Sequence, residues 1–335
     1  VCESDVVIIV VGTPIDKHYN PDMENLMGVI DKLMKHLDDQ LLLLRSTIYP
    51  GTTGLVQKKL ERGGHPVGED LGLAFTPERV AQHNALEEIV ELPQLVGAFD
   101  ESSRMRATAF FESFISADCL HLTPTEAEIG KLFTNMWRYI TFAVANEFHL
   151  IVDSFADSHD VNVHRILDQT SKNYPRFDVP RPGPNVGGPC LTKDGWFLVD
   201  NIPYNEFVNT SYQINEGMPA QIVQRLKSIA PDPEKVTILG MTFKSNSDDT
   251  RNSVSFKLTK RLRREGIPVI NEVDPNLDDA DGWDAVVGSD WTILMTPHDE
   301  FEDLPTILNH VDNPDCVYCD IWGLWDEMKY KSDNG

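Results

Sequence analysis

The sequence lacks long hydrophobic runs, and it is poor in positive charge. Its longest apolar stretches, Val6–Val11 and Leu41–Leu44, fall far short of the ~18 residues that a membrane span requires. The 29 lysine and arginine residues are outnumbered by 53 acidic residues, which gives a net charge of −24. A surface this negative repels phosphate backbones and anionic lipids, so we expect neither a nucleic-acid nor a membrane partner.

The acidic residues are spread along the whole chain, which is typical of an acidic cytoplasmic protein or of one adapted to high salt. The five cysteines are odd in number and scattered, so they predict a reducing compartment rather than a disulfide framework. Cys316 and Cys319 have the spacing of half a zinc site, but no second pair follows them. Residues three apart on a strand also face opposite sides, so we expect no metal.

Strand and helix patterns alternate over residues 1–122. The β-branched run Val6–Val11 predicts a strand that is buried on both faces. Further strands are predicted at Leu41–Leu44, Leu71–Phe75, Gln94–Val96 and Cys119–Leu122. Helices are predicted at Asp22–Leu37, after Pro50 with a hydroxyl cap from Thr52 or Thr53, and near Glu101–Ile115. The alternation predicts a doubly wound α/β sheet.

The alternating pattern ends at Thr123, and from there one continuous helical pattern runs to about Ala156. A helix of roughly 30 residues, at ~1.5 Å per residue, is too long for one α/β layer. We therefore expect it to bridge two domains or to pair with a second copy of the chain. Two more helices are predicted at Val163–Thr170 and Asn205–Ile229, with a proline- and glycine-rich loop between them.

The α/β pattern returns after the linker Pro231-Asp232-Pro233. Strands are predicted at Val236–Leu239, Pro268–Ile270, Trp291–Met295 and Val317–Cys319, and helices at Val254–Glu265 and Phe301–Asn309. The fold class is therefore α/β, with two Rossmann-like doubly wound domains (1–122 and 231–335) joined by a domain of long helices (123–230), which the family resemblance given below implies is the dimerisation domain. Ligands of such sheets bind outside the carboxyl ends of the strands.

The strongest candidate for a catalytic residue is Cys190, which comes directly after the glycine-rich segment Gly183–Pro189. Glycines let the backbone approach a ligand closely, and Lys193 would favour the thiolate. A buried structural cysteine in a tight loop is the alternative. Lys131 and Asn135 lie one turn apart on the long helix, so they could hold a developing oxyanion or form a solvated face.

Seven stretches occur in one order along the chain, and together they are highly specific. They are Val11-Gly12-Thr13-Pro14, Arg45–Thr53, Thr76–Val80, Glu128–Asn135, Asn146-Glu147, Gly183–Asp194, and Gly240–Lys244 with Asp249-Thr250-Arg251. In them the sequence resembles the UDP-glucose/GDP-mannose dehydrogenase family, whose NAD-dependent members oxidise the C6 alcohol of a nucleotide sugar to a carboxylate. The resemblance implies an N-terminal NAD-binding domain, a helical dimerisation domain and a C-terminal nucleotide-sugar domain.

The family's opening strand, its G-x-G-x-x-G turn and the acidic residue for the adenosine ribose have no counterpart in this sequence. The resemblance therefore predicts that roughly the first 80 residues of the family's NAD domain are missing, so that this chain alone holds part of an NAD pocket. It also implies a covalent mechanism. Cys190 would attack the C6 aldehyde to form a thiohemiacetal, which a second oxidation converts to a thioester.

The other catalytic roles that the resemblance implies are shared among five residues. Lys131 and Asn135 would stabilise oxyanions, Asp194 and Thr47 would place a water, and Glu78 would act as a base in thioester hydrolysis. The residues implied to border NAD are Val11, Gly12, Thr13, Pro14, Ser46, Thr47 and Arg251. Those implied to bind the UDP-sugar are Glu78, Arg79, Val80, Lys131, Asn135, Arg176, Gly183, Gly187, Gly188, Lys193 and Lys244, with Arg176 reaching the neighbouring subunit.

The motifs divide on the identity of the sugar. Pro77–Val80 and Ile214–Pro219 resemble the branch that acts on UDP-N-acetylmannosamine and related N-acetylhexosamines, and Trp322 stands where UDP-glucose enzymes place an arginine. Pro189 and Lys193-Asp194 look more like the UDP-glucose branch. We expect a UDP-N-acetylhexosamine, and three alternatives stay open: a UDP-glucose 6-dehydrogenase, a non-catalytic nucleotide-sugar-binding subunit and a two-electron hydroxyacid dehydrogenase.

Overall fold

The computed structural model describes residues 1–13, 22–80, 85–199, 202–325 and 330–331. The chain divides into two compact units, the first formed by Val1–Met136 with Lys193–Pro203 and the second by Trp137–Thr192 with Tyr204–Gly335. In the residues that the structure describes, each unit contains one five-stranded sheet. Among the residues described, no helix is long and apolar enough to cross a bilayer. The three predicted domains, 1–122, 123–230 and 231–335, stay predictions.

The first sheet has its five strands in chain order. They are β1 (Val6–Ile9), β2 (Leu41–Leu44), β3 (Gly72–Phe75), β4 (Gln94–Ala98) and β5 (Cys119–Leu122). The strands β1, β2 and β3 pair in parallel, β4 is antiparallel to β3, and β5 is parallel to β4. The carboxyl ends of the first three strands therefore lie at one edge of the sheet, where residues 11–13, 45–47 and 76–80 follow them.

Both faces of β2 are covered, which explains its four consecutive leucines. Leu42 and Leu44 pack with the helical residues Leu26 and Ile30 in one hydrophobic cluster. Leu41 and Leu43 belong to a second cluster that includes Ala107 and Phe111. Alternate residues of a strand point to opposite faces, so an unbroken apolar run is what a strand between two helix layers requires.

The prediction that Val6–Val11 is buried on both faces is wrong. Within the part of the chain that the structure describes, β1 lies at the edge of the sheet, and it ends at Ile9. The side chains of Ile8 and Val10 are 43% and 70% exposed. The β-branched run therefore fixed the element type correctly, but a hydrophobic pattern does not reveal which face of an edge strand is covered.

Eleven α-helices are described along the chain. They are α1 (Glu24–Leu33), α2 (Thr52–Arg62), α3 (Ala85–Glu91), α4 (Glu101–Glu112), α5 (Pro124–Asp153), α6 (Val163–Ser171), α7 (Leu191–Asp194), α8 (Trp196–Val199), α9 (Glu206–Ile229), α10 (Ser255–Arg264) and α11 (Leu304–Val311). The structure also has short 3-10 helices at Met34–His36, Trp283–Val286 and Asp299–Phe301. The long helix expected near residues 123–156 is confirmed as α5, which has 30 residues.

The N-terminus of α2 is capped by a distant carboxylate and not by a local hydroxyl, so that prediction is wrong. Gly51 precedes the helix in the left-handed conformation, at φ 91°. Glu128, buried on α5, accepts hydrogen bonds from the backbone N–H groups of Gly51 and Thr53 and from the Thr53 hydroxyl. Burial raises the pKa of Glu128, and these three bonds oppose the rise. The carboxylate satisfies N–H groups that a helix start leaves without partners.

The second sheet has the strand order β10-β9-β8-β6-β7. Its strands are β6 (Lys235–Leu239), β7 (Val269–Val273), β8 (Trp291–Leu294), β9 (Val317–Asp320) and β10 (Tyr330–Lys331). The first strand in sequence, β6, pairs in parallel with both β7 and β8. The strands that follow β6 in sequence are therefore placed first on one side of it and then on the other. The carboxyl ends of β6 and β8 form the topological switch point at which such sheets bind ligands.

Cys316 and Cys319 belong to two different hydrophobic clusters, packed on opposite faces of the second sheet. Cys319 lies with Val236 and Ile293, whereas Cys316 lies with Leu294 and Tyr318. The prediction that the two thiols face opposite sides is confirmed. Within the described ranges, no group of three histidine, cysteine, aspartate or glutamate side chains is placed to hold a metal.

The carboxyl end of β9 is closed by a turn that wraps around a buried carboxylate. Asp320 accepts hydrogen bonds from the backbone N–H groups of Gly323, at 2.9 Å, and Trp325, at 2.7 Å. Burial raises the pKa of Asp320 to about 6, although these bonds favour its charged form. Desolvation therefore outweighs hydrogen bonding at this site.

We expect the stability of the protein to depend on this titration. Because the folded pKa of Asp320 exceeds its ordinary value near 3.8, its stabilising contribution is complete below pH 4 and is lost as pH rises through about 6. Two pKa units correspond to about 3 kcal/mol. Urea unfolding from pH 4 to pH 7.5 should show the free energy of unfolding of the parent falling by about that amount relative to Asp320→Asn. Parallel pH profiles for the two proteins would contradict the prediction.

Candidate active site

The segments that follow β1 and β2 are bonded to one another at the carboxyl edge of the first sheet. The Ser46 hydroxyl donates to the carbonyl of Val11 at 2.7 Å, and the Thr13 hydroxyl donates to the carbonyl of Thr47. A Cβ on Gly12 would meet no atom of the described chain within 4 Å, so the backbone has open space beside it. The structure thus brings five of the NAD candidates together at a sheet edge that suits a dinucleotide. Pro14, the remaining candidate of this segment, lies outside the described residues.

Glu78 is held as an ionised carboxylate after β3. Its Oε2 accepts a hydrogen bond from Arg45 Nη2 at 2.6 Å, and its Oε1 accepts from the N–H groups of Arg79, at 2.8 Å, and Val80, at 3.0 Å. Burial alone would raise the pKa of Glu78, but the Val80 N–H and the Arg45 guanidinium outweigh it and hold the pKa below its ordinary value. Arg45 in turn lies over the ring of Phe111. Arg45 was given no role from the sequence, although it is the first residue after β2.

A second polar group of the first unit is centred on Asp194. This fully buried carboxylate accepts a hydrogen bond from Asn135 Nδ2 at 2.6 Å and one from Lys193 Nζ at 2.8 Å. The Lys193 ammonium also lies 4.8 Å from the centre of the Phe197 ring. Lys131 is half-buried one turn before Asn135 on α5. The structure therefore groups four site candidates, and Asp194 engages the ammonium that the sequence assigned to the Cys190 thiolate.

Cys190 is exposed at the end of the glycine-rich loop in the second unit, so the alternative of a buried structural cysteine is wrong. Arg251 of the same unit forms a paired hydrogen bond with Asp249, with Nη2 2.6 Å from Oδ2. Asp249 raises the pKa of Arg251, and the charge of Cys190 adds to this effect. The structure therefore puts the guanidinium of Arg251 within electrostatic range of Cys190.

The beginning of the Cys190 loop is tied to the long helices by two buried asparagines. The N–H of Gly183 donates to Asn146 Oδ1 at 2.9 Å. Asn146 Nδ2 donates to Asn215 Oδ1 at 2.9 Å, and Asn215 Nδ2 donates to the carbonyl of Tyr139 at 3.1 Å. A Cβ on Gly183 would lie 2.2 Å from the indole of Trp322, so only glycine fits there. These contacts give a structural reason for the motif residues 146 and 215.

The glycines near the end of the loop allow close packing against the protein itself. A Cβ on Gly187 would lie 2.6 Å from the carbonyl oxygen of Asn252, and one on Gly188 would lie 2.8 Å from the ring of Phe243. Gly188 also has a φ of 92°, which glycine adopts without strain. On the side where their Cβ atoms would point, these two glycines therefore approach the protein itself. Their place in the substrate loop stays a prediction.

The loop after β6, which carries Lys244, is held by a buried aspartate–histidine pair. Asp274 Oδ2 accepts from the N–H of Met241 at 2.7 Å and lies 3.1 Å from His298 Nε2. The N–H of Asn246 donates to His298 Nδ1 at 2.8 Å, so Nδ1 is unprotonated and Nε2 carries the hydrogen. Sequence analysis missed Asp274 and His298. Their signal is their position, just after β7 and β8 near the switch point of the sheet.

Arg176 lies on the exposed segment between α6 and the glycine-rich loop. Its Nε donates to the hydroxyl of Tyr174 at 3.2 Å, and its guanidinium lies 4.6 Å from the centre of the Tyr174 ring. This contact holds the side chain at the surface of its own unit. The expected reach of Arg176 into a neighbouring subunit stays a prediction.

Three domain models of one family match the chain in succession. The NAD binding domain of the UDP-glucose/GDP-mannose dehydrogenase family matches residues 1–115, its central domain matches residues 125–216, and its UDP binding domain matches residues 237–327. The NAD binding domain confirms the expected cofactor. It also agrees with the open backbone at Gly12, at the carboxyl ends of the first sheet.

Individual relatives agree with the domain matches. The UDP-N-acetyl-D-mannosamine dehydrogenase of Methanocaldococcus jannaschii is 32% identical over 93% of this chain and 74% of the relative. The structure of UDP-D-ManNAc dehydrogenase from Pyrococcus horikoshii superposes with a TM-score of 0.82 at 30% identity, over 92% of this chain and 75% of the other. The UDP-N-acetyl-mannosamine dehydrogenase of Staphylococcus aureus gives a TM-score of 0.81 at 28% identity, over 97% and 82%. The chain therefore belongs to the UDP-glucose/GDP-mannose dehydrogenase family and is an NAD-dependent nucleotide-sugar dehydrogenase.

Proposed function

We propose that the protein oxidises the C6 alcohol of a UDP-sugar to a carboxylate in two successive steps, with Cys190 as the covalent nucleophile. The observation that carries this proposal is the exposed thiol of Cys190 at the end of a glycine-rich loop whose beginning is fixed by Asn146, within electrostatic range of Arg251. A thiolate is the nucleophilic form of cysteine, and a nearby cation stabilises it. The other arrangement of a cysteine in a tight loop, burial among hydrocarbon side chains, does not occur here.

The reaction balances with one thiol, one water and two molecules of NAD. Oxidation of the alcohol gives an aldehyde, and the Cys190 thiolate adds to its carbon to form a thiohemiacetal. Oxidation of that adduct gives a thioester, and water then cleaves the carbon–sulfur bond to release the carboxylate and restore the thiol. Bound NAD supplies the oxidising power by accepting two electrons and a proton in each oxidation. Covalent capture keeps the aldehyde from leaving between the two steps.

The polar groups of the first unit have roles that follow from their contacts. An amide nitrogen carries two hydrogens, so Asn135 can donate one to Asp194 and the other to an oxyanion, together with the ammonium of Lys131. The bond to Asp194 fixes the orientation of the Asn135 amide. Glu78, whose pKa is lowered, is an ionised acceptor for a proton of the hydrolytic water, which Thr47 helps to place.

The sugar that we propose is UDP-N-acetylmannosamine or a related N-acetylhexosamine. Relatives from Methanocaldococcus jannaschii, Methanococcus and Pyrococcus at 29–32% identity bear the name UDP-N-acetyl-D-mannosamine dehydrogenase. A relative from Ralstonia solanacearum, 28% identical, is an NDP-N-acetyl-D-galactosaminuronic acid dehydrogenase. The Pro77–Val80 motif supports the same branch. A panel of UDP-sugars separates this substrate from UDP-glucose.

We expect two NADH per UDP-sugar from the protein expressed from its complete reading frame. Cys190→Ser should lower the rate of the two-step reaction at least about 10²-fold, because a serine hydroxyl stays un-ionised at neutral pH and an alkoxide is a poorer leaving group than a thiolate. Cys2→Ser, which alters another exposed cysteine, is the matched control and should keep full activity. NADH is followed by its absorbance, and binding of the UDP-sugar by calorimetry.

Two results would contradict the cysteine mechanism. One NADH per substrate with a fully active Cys190→Ala protein would support a two-electron hydroxyacid dehydrogenase. Intact UDP-sugar binding without any turnover by the parent would support a non-catalytic binding subunit.

We also propose a homodimer that is formed through the central helices. Trp137 on α5 and Phe155, two residues after the end of that helix, are 66% and 51% exposed. Tyr204, two residues before α9, and Phe207 in its first turn are exposed as well. Large aromatic side chains are enriched at protein–protein interfaces, and a second copy of the same helices would remove them from water. These four residues are uncharged, so two copies of the chain would not repel each other through these side chains.

Light scattering should give twice the chain mass for the parent protein and the mass of one chain for Trp137→Asp, because the new carboxylate would be buried without a partner in the interface. Leu86→Asp is the matched control, since Leu86 on α3 is an apolar residue outside the central helices and is even more exposed than Trp137, at 88%. A monomeric parent, or a Trp137→Asp protein that stays dimeric, would overturn this assignment.

A further inference from the structure

One carboxamide, that of Asn185, fastens the Cys190 loop to the switch point of the second sheet. Asn185 is only 3% exposed. Its Nδ2 donates to the carbonyl of Thr242 at 2.8 Å and to the hydroxyl of Thr296 at 2.9 Å. Its Oδ1 accepts from the N–H of Val254 at 2.8 Å, at the start of α10. The loop after β6, the segment after β8 and the beginning of α10 therefore converge on one side chain.

The hydrogen-bonding groups around Asn185 match the donor and the acceptor of a carboxamide. The Thr296 hydroxyl donates its hydrogen to the carbonyl of Thr242 at 2.6 Å, and the Ser255 hydroxyl donates to the carbonyl of Gly240 at 2.8 Å. Their lone pairs face the Asn185 nitrogen, so the surroundings require a donor at Nδ2 and an acceptor at Oδ1. An aspartate of the same shape would place an oxygen against the carbonyl of Thr242.

The place of Asn185 in the sequence connects this fastening to the reaction. Asn185 lies five residues before Cys190, and the loop between them packs through Gly187 and Gly188 on Asn252 and Phe243. The same part of the second unit carries Lys244 and Arg251, two of the ligand-binding candidates. The position of the thiol is thereby coupled to the loop after β6.

We propose that Asn185 is a positioning residue, whose carboxamide locks the Cys190 loop onto the loop after β6 and so sets the place of the thiol for covalent capture. The proposal rests on the function proposed above. It does not require Asn185 to touch the substrate. A small displacement of a nucleophile is enough to lower a rate by about 10²-fold.

The test compares Asn185→Ala with Asn271→Ala. Asn271 on β7 is a matched control, because its Nδ2 also donates to a backbone carbonyl, that of Ala285, at 2.7 Å and lies away from the Cys190 loop. We expect Asn185→Ala to lower kcat at least about 10-fold with a smaller change in KM, because the nucleophile is misplaced while the nucleotide contacts remain. Asn185→Asp should be worse than Asn185→Ala. Asn271→Ala should leave both parameters near those of the parent.

A second readout does not depend on activity. Hydrogen exchange of the backbone amides in residues 183–190 should be at least about 10-fold faster in Asn185→Ala than in the parent, and unchanged in Asn271→Ala. If Asn185→Ala does not fold, Thr296→Val serves instead, since it removes one hydroxyl partner of Asn185 and should change kcat and exchange in the same direction.

Each result decides one question. Equal kcat and equal loop exchange in the Asn185 and Asn271 variants, or a Thr296→Val protein indistinguishable from the parent when it has to serve, would overturn the positioning role. Failure of the proposed function is read from the parent alone, as the absence of NADH formation with UDP-sugars. If the parent forms no NADH but the loop still exchanges faster in Asn185→Ala, then Asn185 anchors the loop without serving catalysis. That result also overturns the proposal.

Discussion

An exposed nucleophile is useful only if the backbone that carries it stays in one place, and here that backbone is a loop without helix or strand. Residues 183–190 cannot satisfy their polar groups within a regular element, so each group needs an external partner. Asn146 holds the beginning of the loop and Asn185 holds its middle. The glycines bring its end against Asn252 and Phe243. The chemistry that we propose for Cys190 relies on these buried carboxamides, because they provide directed bonds without adding charge.

Charge in the candidate site is arranged in local pairs, despite the net charge of −24. Arg45 binds Glu78, Lys193 binds Asp194, and Arg251 binds Asp249. Each cation is thus fixed by one carboxylate, and its position is set by geometry more than by the acidic surroundings. Arg251, which is held by Asp249 at the surface of the second unit, also lies within electrostatic range of Cys190. An excess of surface acid is compatible with an anionic substrate when the cations near it are held in this way.

Local patterns predicted the elements of this fold well, and they predicted the long-range contacts poorly. Leu41–Leu44 was recognisable as a strand because both of its faces are covered, and α5 because its helical pattern is uninterrupted. The cap of α2 was mistaken for a local hydroxyl, because its true partner, Glu128, is 75 residues away from Thr53. The burial of Val10 was mistaken for the same reason, since coverage of a strand depends on elements far away in the sequence.

The site shows the same division. Cys190, Asp194 and Asn135 stood out through their motifs, and the structure joins Asp194 to Asn135 by a hydrogen bond. Arg45 and Asn185 lie within the motif stretches, and Asp274 and His298 lie outside them. None of the four was given a role, because each acts through a partner on another strand or loop.

The covalent intermediate itself is the most direct subject for measurement. Glu78→Gln protein, in which hydrolysis should be slow, would be mixed with NAD and UDP-N-acetylmannosamine, quenched in acid, digested and analysed by mass spectrometry. The peptide that contains Cys190 should carry the mass of the sugar nucleotide as a thioester. NADH formation without an adduct on that peptide at any time point, or with an adduct on a different residue, would contradict catalysis by the Cys190 thiolate.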